Sequence, residues 1–349
     1  MLPTRPPLSA RPVLALDVGG THIRAAVVLD DGTRLSHART RTPVTQGAAA
    51  ILAACADALC SSLEAAPTDV REAVVGIGIS SPGPVDPWRG AVIETPNMGP
   101  EYRNVPLAEE MEKALGLPAY LDRDTNVAAL GEMSFGAARG CADFVYLTVS
   151  TGVGGALVSG GRLFHGPDGS AGEFGHTPVN MDVRCTCGGM GHLEGVLGGR
   201  GMALLAQEAV RKGRSQFLAG VAAHKAVDLI EGTDVAAGEA AGDPTCVAIM
   251  ERGRRAFAIA CVGFVDALNP SRIVVGGAIA DAQGERLLGP ARAEVAATAF
   301  RTPAARVQIV PAELGDDVGL AGGHPLVIAR LGDSAWRGGR ANPTPARNG

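Results

Sequence analysis

The chain has 349 residues, of which 46% are hydrophobic and 19% charged, with a net charge of −5. That is ordinary globular composition, with chain enough for a sizeable core in one or two domains. Aromatic residues make up only 4% and no basic face shows, so no nucleic-acid partner is expected, and no apolar run reaches the ~18 residues of a membrane span.

The opening Met1-Leu-Pro-Thr-Arg-Pro-Pro lacks the apolar core of a signal peptide. Seven cysteines, an odd number in a long chain, fit a reducing compartment better than a disulfide framework. A cytoplasmic location is expected.

After a proline-rich tail over residues 1–12, residues 13–16 and 25–29 read as apolar strands on either side of Asp17-Val-Gly-Gly-Thr-His-Ile-Arg24. Strand, Gly-rich turn and strand make a hairpin. Gly19, Gly20 and Thr21 form the turn, whose backbone N–H groups can cradle a phosphate. Asp17 is placed to hold Mg²⁺, directly or through water. One such hairpin is weak evidence on its own.

Residues 47–66 read as an Ala-rich helix and 74–79 as a strand entering Ser80-Ser-Pro-Gly-Pro-Val-Asp86. Pro82 and Pro84 stiffen that loop around Gly83. Asn97 follows in Thr95-Pro-Asn97, and Asn104 caps an expected helix over 105–115. A strand at 119–121 leads to a helix over 125–138, with Asp124 at its N-terminus, where the helix dipole stabilises a carboxylate. Taken locally, Asp124 reads as an N-cap.

A second copy of the first hairpin then appears. Residues 144–149 and 156–158 are apolar strands around Ser150-Thr-Gly-Val-Gly-Gly155, with Thr151 and Gly152 at the turn. Two such hairpins about 130 residues apart suggest a duplicated α/β unit holding one nucleotide.

From Ala171 the chain reads Ala-Gly-Glu-Phe-Gly-His176 and, eight residues on, Cys185-Thr-Cys-Gly-Gly-Met-Gly-His-Leu-Glu194. His176, Cys185, Cys187 and His192 are four zinc-capable side chains within 17 positions. Glycines at 188, 189 and 191 let the backbone double back so that all four converge. Four protein ligands close a zinc site and make it structural. Helices are expected over 194–212 and 245–268, and a strand over 272–275 runs into the tight turn Gly276-Gly277. A last strand lies at 307–310, then a helix over 316–331 that Gly322-Gly-His-Pro325 should kink or shorten, and a polar tail over 333–349 that reads as disordered.

Taken together, these motifs resemble the ROK family of sugar kinases and sugar-responsive repressors, over roughly residues 13–331. The first loop is similar to the family's Asp-x-Gly-Gly-Thr-x-x-Arg, and Arg123-Asp-Thr-Asn-Val-Ala-Ala-Leu-Gly-Glu132 to its Asn-Asp-x-Asn-x-Ala-Ala-x-Gly-Glu. The zinc stretch matches Gly-Glu-x-Gly-His and Cys-x-Cys-Gly-x-x-Gly-Cys-x-Glu, with His192 in place of the last cysteine. The resemblance implies the duplicated actin-like (ribonuclease H-like) α/β fold, two domains with the active-site cleft between them. It implies a smaller domain over 13–123, joined by the last helix at about 318–332, and a larger one over 124–317 carrying the zinc motif. It also implies a homodimer or higher homo-oligomer.

The implied activity is ATP-dependent phosphorylation of a hexose, glucokinase-like, with Asp124 as general base. Asp17, Gly19, Gly20, Thr21, Thr151, Gly152, Gly276 and Gly277 would bind ATP with Mg²⁺. Gly83, Asn97, Arg123, Asp124, Glu173, His176 and Glu194 would contact the sugar, and a structural Zn²⁺ would bind His176, Cys185, Cys187 and His192. Ser150 stands where the family has glycine, and Arg123 where it has asparagine. Arg123 could enter the sugar pocket, fold onto Asp124 or turn to solvent. Alternatives are a kinase for fructose, N-acetylmannosamine or another N-acetylhexosamine, or an inactive sugar-binding protein. Repressors of the family carry an N-terminal helix-turn-helix, and only 12 residues precede the first strand here, so a repressor is not the expectation.

Overall fold

The computed structural model of the chain describes residues 11–95, 98–179, 182–333 and 336. The chain divides into two compact units. The first takes the chain up to Gly140, His165–Ala171 and the chain from Leu314; the second takes Cys141–Phe164 and Gly172–Glu313.

In the first unit, strand Val13–Val18 pairs antiparallel with His22–Val28, which pairs with the edge strand Ala38–Arg41. On its other side it runs parallel to Ile77–Ser81, and that strand to Ala119–Arg123. Alternation along the strands decides what each face meets. Leu14, Leu16 and Val18 join a core with helices Ala48–Ala65 and Leu107–Leu115, while Ala15, Ala26 and Val28 meet Leu320 of helix Val318–Arg330.

Helix Ala48–Ala65 is, by length and composition, long and apolar enough to cross a bilayer, against the expectation that no such run exists. Its buried residues Ile51, Cys55, Ala58, Leu59 and Ser62 form one stripe, as in an amphipathic core helix.

On the opposite face, helix Val318–Arg330 continues through Pro325, where residues 322–325 were expected to kink or shorten it. Close packing explains why those glycines are there. A Cβ on Gly323 would lie 2.8 Å from Ala15 Cβ, and one on Gly322 would run into the Val127 carbonyl. The helix crosses the sheet and helix Asp124–Phe135 at a distance only glycine permits. This packing places helix Asp124–Phe135 in the first unit. The division therefore falls after Gly140 and not after Arg123. Asn104 caps no helix: it adopts φ 52°, and the helix begins at Leu107 after Pro106. Asn tolerates that left-handed conformation, and Pro fixes the φ that starts the helix.

The second unit repeats the strand order of the first. Phe144–Val149 pairs antiparallel with Val153–Ser159, which pairs with Arg162–Leu163. Parallel to Phe144–Val149 runs Arg272–Gly276, and beyond it Gln308–Pro311. Val145, Leu147, Ile273 and Val275 pack on Phe257, Cys261 and Val265 of helix Pro244–Leu268. That helix is bounded as its ends dictate. Asp243 Oδ1 accepts from the N–H groups of Thr245 and Cys246, Pro244 opens it, and Asn269 at φ 49° closes it.

The helix expected over 194–212 is two helices, Leu193–Leu197 and Gly199–Arg211, parted at the extended Gly198. The break frees two donors: Gly199 N–H bonds Ser150 O at 2.9 Å and Arg200 N–H bonds Thr151 O at 3.0 Å. Those bonds dock the helix on the second Gly-rich loop.

Candidate active site

The first Gly-rich turn is held from below by Asp17 and from the side by Thr42. Asp17 Oδ2 accepts from Arg24 Nη2 at 2.5 Å and Oδ1 from Ser80 Oγ at 2.8 Å. The start of helix Val318–Arg330 lies directly over it, since a Cβ on Gly319 would sit 2.8 Å from Asp17 Oδ1. A carboxylate at a helix N-terminus is favourably placed against the dipole. Thr42 Oγ1 donates to Gly19 O at 2.5 Å, and Thr42 N–H to Thr21 O at 3.0 Å. The turn thus has the carbonyls of Gly19 and Thr21 engaged by Thr42 and is held in shape by the protein's own contacts.

Arg123 ends strand Ala119–Arg123 and Asp124 begins helix Asp124–Phe135. Asp122 and Arg123 are buried whereas Asp124 is exposed, its Oδ1 accepting from Thr125 N–H at 2.7 Å. A single carboxylate is thereby presented to solvent on a rigid junction. Asp122 Oδ1 accepts from Arg123 N–H at 2.8 Å and from Asn126 Nδ2 at 2.7 Å. Its Oδ2 lies 2.7 Å from His165 Nε2 and also accepts from Arg330 Nη2. Burial alone would raise the Asp122 pKa, but the Arg330 charge and His165 outweigh it and hold the carboxyl well below the usual range. Arg330 is itself pinned by Leu121 O at 3.0 Å and lies 3.7 Å over the Trp336 ring.

Glu132, at the end of the Asp-x-Asn motif, is fully buried and structural. It accepts from Ala137 N–H at 2.6 Å and Leu314 N–H at 3.0 Å. Arg123 is 4% exposed, which excludes the turn to solvent. Its Nη2 donates to Ala171 O, and its Cδ and Cγ lie so close to Gly83 that a Cβ there would meet them at 3.1 and 3.2 Å. Asn97 lies outside the described residues.

In the second unit the loop at 150–153 closes with Ser150 N–H on Gly152 O at 2.9 Å. Ser150 is therefore accommodated without loss of the turn. Gly277 (φ 97°) has no room for a side chain, since a Cβ would lie 2.7 Å from Thr148 Oγ1 and from Val149 O. Beside these loops opens a cavity of about 570 Å³, lined by Ser150, Thr151, Arg200, Gln207, Glu231, Thr233, Ile279 and Gln283 among others. Of this lining only Ser150 and Thr151, in the second Gly-rich loop, were anticipated. The rest lie on separate helices and loops, with no shared motif to reveal them.

The zinc-capable residues do converge. The ligand atoms of His176, Cys185, Cys187 and His192 all lie within 4.8 Å of one another. Cys187 Sγ is 3.2 Å from His192 Nδ1, and the two histidine rings stand perpendicular with centroids 5.1 Å apart. Gly188 (φ 92°) and Gly191 (φ 78°) make the reversals, and Gly189 leaves room for the His192 ring. Two imidazoles and two thiols at this spacing suit tetrahedral zinc. Burial pushes the Cys185 thiol above its ordinary range. Glu173 Oε2 lies 3.3 Å from His176 Nδ1. A carboxylate at this distance is of the kind that can orient an imidazole toward a metal. Glu194 turns one oxygen to the second loop, with Val153 N–H at 3.0 Å, and the other to Thr186 Oγ1 at 3.2 Å.

The ROK family profile matches residues 13–330. The chain is 33% identical to a glucokinase of Halalkalibacterium halodurans over 322 residues, 92% of this chain and 96% of that one. Its fold is similar to that of the ROK hexokinase from Thermus thermophilus (TM-score 0.76, 30% identity, 92% of this chain and 99% of that one). It is also similar to a ROK glucokinase from Streptomyces griseus in complex with glucose and AMPPNP (TM-score 0.71, 31% identity, 89% and 97%). The chain belongs to the ROK family, and its fold is the duplicated actin-like α/β fold of those kinases.

Proposed function

We propose that this chain is an ATP-dependent sugar kinase whose acceptor is a hexose, with glucose the first choice. Whole-length identity to glucokinases at 33% carries the reading. Phosphoryl transfer asks the protein mainly for positioning and charge stabilisation. The N–H groups of Gly20, Thr21, Thr151 and Gly152 in the two turns would be offered to phosphates, and the cavity beside the second turn suits the rest of the nucleotide. Both Asp17 oxygens are already engaged, so Mg²⁺ would be met there through water.

Asp124, exposed on its rigid junction, would take the proton of the attacking sugar hydroxyl. Gly83, Arg123, Glu173, His176 and Glu194, with Asn97, are the proposed sugar contacts. For His176, one ring nitrogen would touch the sugar, Nδ1 on the side of Glu173, while Nε2 would be left for the metal. ADP release measured with glucose, mannose, fructose, N-acetylmannosamine and N-acetylglucosamine tests the assignment. Glucose should give the highest kcat/KM; release with none of the sugars would refute the kinase reading.

His176, Cys185, Cys187 and His192 would hold one structural zinc, which supplies rigidity to the knot and takes no part in the chemistry. Protein purified without chelator should carry about one zinc per chain. Cys185→Ala should lose the metal, stability and sugar binding together, whereas His192→Cys, which replaces the imidazole with a thiolate donor, should keep the metal. Metal-free protein with undiminished thermal stability would rule the site out.

A further inference from the structure

We propose that Glu194 is a positioning residue for the second phosphate loop, a strut fixing that loop to the metal-ligand knot. The proposal rests on reading residues 150–155 as a nucleotide-phosphate loop, and it gives Glu194 a task apart from touching sugar. Glu194 sits two residues beyond His192 in the short helix Leu193–Leu197. Its carboxylate has one oxygen on each side of a divide. Oε2 accepts from Val153 N–H at 3.0 Å, where the loop re-enters its strand. Oε1 lies 3.2 Å from Thr186 Oγ1 and 3.8 Å from Cys185 Sγ, both in the knot.

The loop is shaped to admit it. A Cβ on Gly152 would collide with Glu194 Oε2, so only glycine lets the carboxylate approach. One on Gly195 would come 2.9 Å from Cys185 Cα, so the helix carrying the strut is pressed against the knot as well. A carboxylate bonded to a backbone N–H is among the stronger hydrogen bonds, and removing it leaves a part-buried donor without its acceptor. An ordered knot fixes Thr186, hence the carboxylate, hence the loop. Nucleotide affinity should then depend on Glu194 and on the knot even when no sugar is present.

The test is ADP binding by calorimetry to the full-length protein without sugar, with circular dichroism to confirm folding. Glu194→Gln keeps an acceptor for Val153 N–H and should stay within about threefold of wild type. Glu194→Ala should bind ADP about tenfold or more weakly, the worth of one hydrogen bond to a charged group. Cys187→Ser, at an exposed ligand, should lose zinc and weaken ADP binding in the same direction. Should Glu194→Ala not fold, Thr186→Val, which removes the hydroxyl contact on the knot side and leaves the Val153 bond, should still weaken ADP binding severalfold. Unchanged ADP affinity in Glu194→Ala, or in both Thr186→Val and Cys187→Ser, overturns the strut, even if glucose affinity falls. Wild type that binds no ADP either alone or with glucose present overturns the kinase reading itself.

Discussion

Asp124→Asn should lose ~10²–10⁴-fold in kcat while glucose affinity stays near that of wild type, because a positioned general base acts mainly in the transition state. The substitution is mild in every other respect. Asparagine keeps the side chain's length and an oxygen for Thr125 N–H, the contact that Asp124 makes at 2.7 Å. The residue is exposed at a helix start, so little packing is at stake. Steady-state kinetics combined with calorimetric glucose binding separate the two effects. Near-wild-type turnover would reduce Asp124 to a first-turn carboxylate that merely stabilises its helix.

The largest stability effect is expected at Arg330. Arg330→Met leaves Asp122 as a buried carboxylate without its principal countercharge, which typically costs about 3–5 kcal/mol. The pH dependence follows from the sign of the shift. In wild type the Asp122 carboxyl is held below its unfolded range, so its contribution is present at neutral pH and is lost only as pH falls toward the folded value. In the variant only His165 and Asn126 still oppose burial, so the carboxyl rises relative to wild type and protonation relieves part of the penalty on the folded state. Urea unfolding at pH 7 and pH 5 should therefore show the gap between the two proteins narrowing at the lower pH. A deficit under about 1 kcal/mol, equal at both pH values, would contradict a buried, compensated pair.

Much of this arrangement is legible in residue order because it depends on local backbone geometry. Gly19-Gly20 and Gly152 mark turns, and Cys185, Cys187 and His192 sit within one reversal whose glycines at 188 and 191 do adopt positive φ. The Asp122 network is not legible in that way. Its partners His165 and Arg330 come from 43 and 208 residues away, and each alone looks like a solvated polar residue. The break at Gly198 was hidden for a related reason: its cause is the bonding of Gly199 and Arg200 to a loop some 50 positions earlier. Residues 322–325 misled in the other direction. Read locally they disrupt a helix, whereas in the fold they are what lets it lie against Ala15 and Val127.

The return of the chain to the first unit at Leu314 has a consequence for synthesis. On a ribosome, strands Val13–Val18, Ile77–Ser81 and Ala119–Arg123 emerge early, yet the helix that covers their second face is made last. The second unit, whose last stretch ends at Glu313, is complete in sequence before that helix exists. Until then Asp122 has no arginine, Asp17 has no helix start above it, and Ala15, Ala26 and Val28 lack Leu320. The half of the molecule translated first is therefore the half that must wait for its final contacts, and the nascent chain exposes an apolar sheet face until its closing 13-residue helix is released.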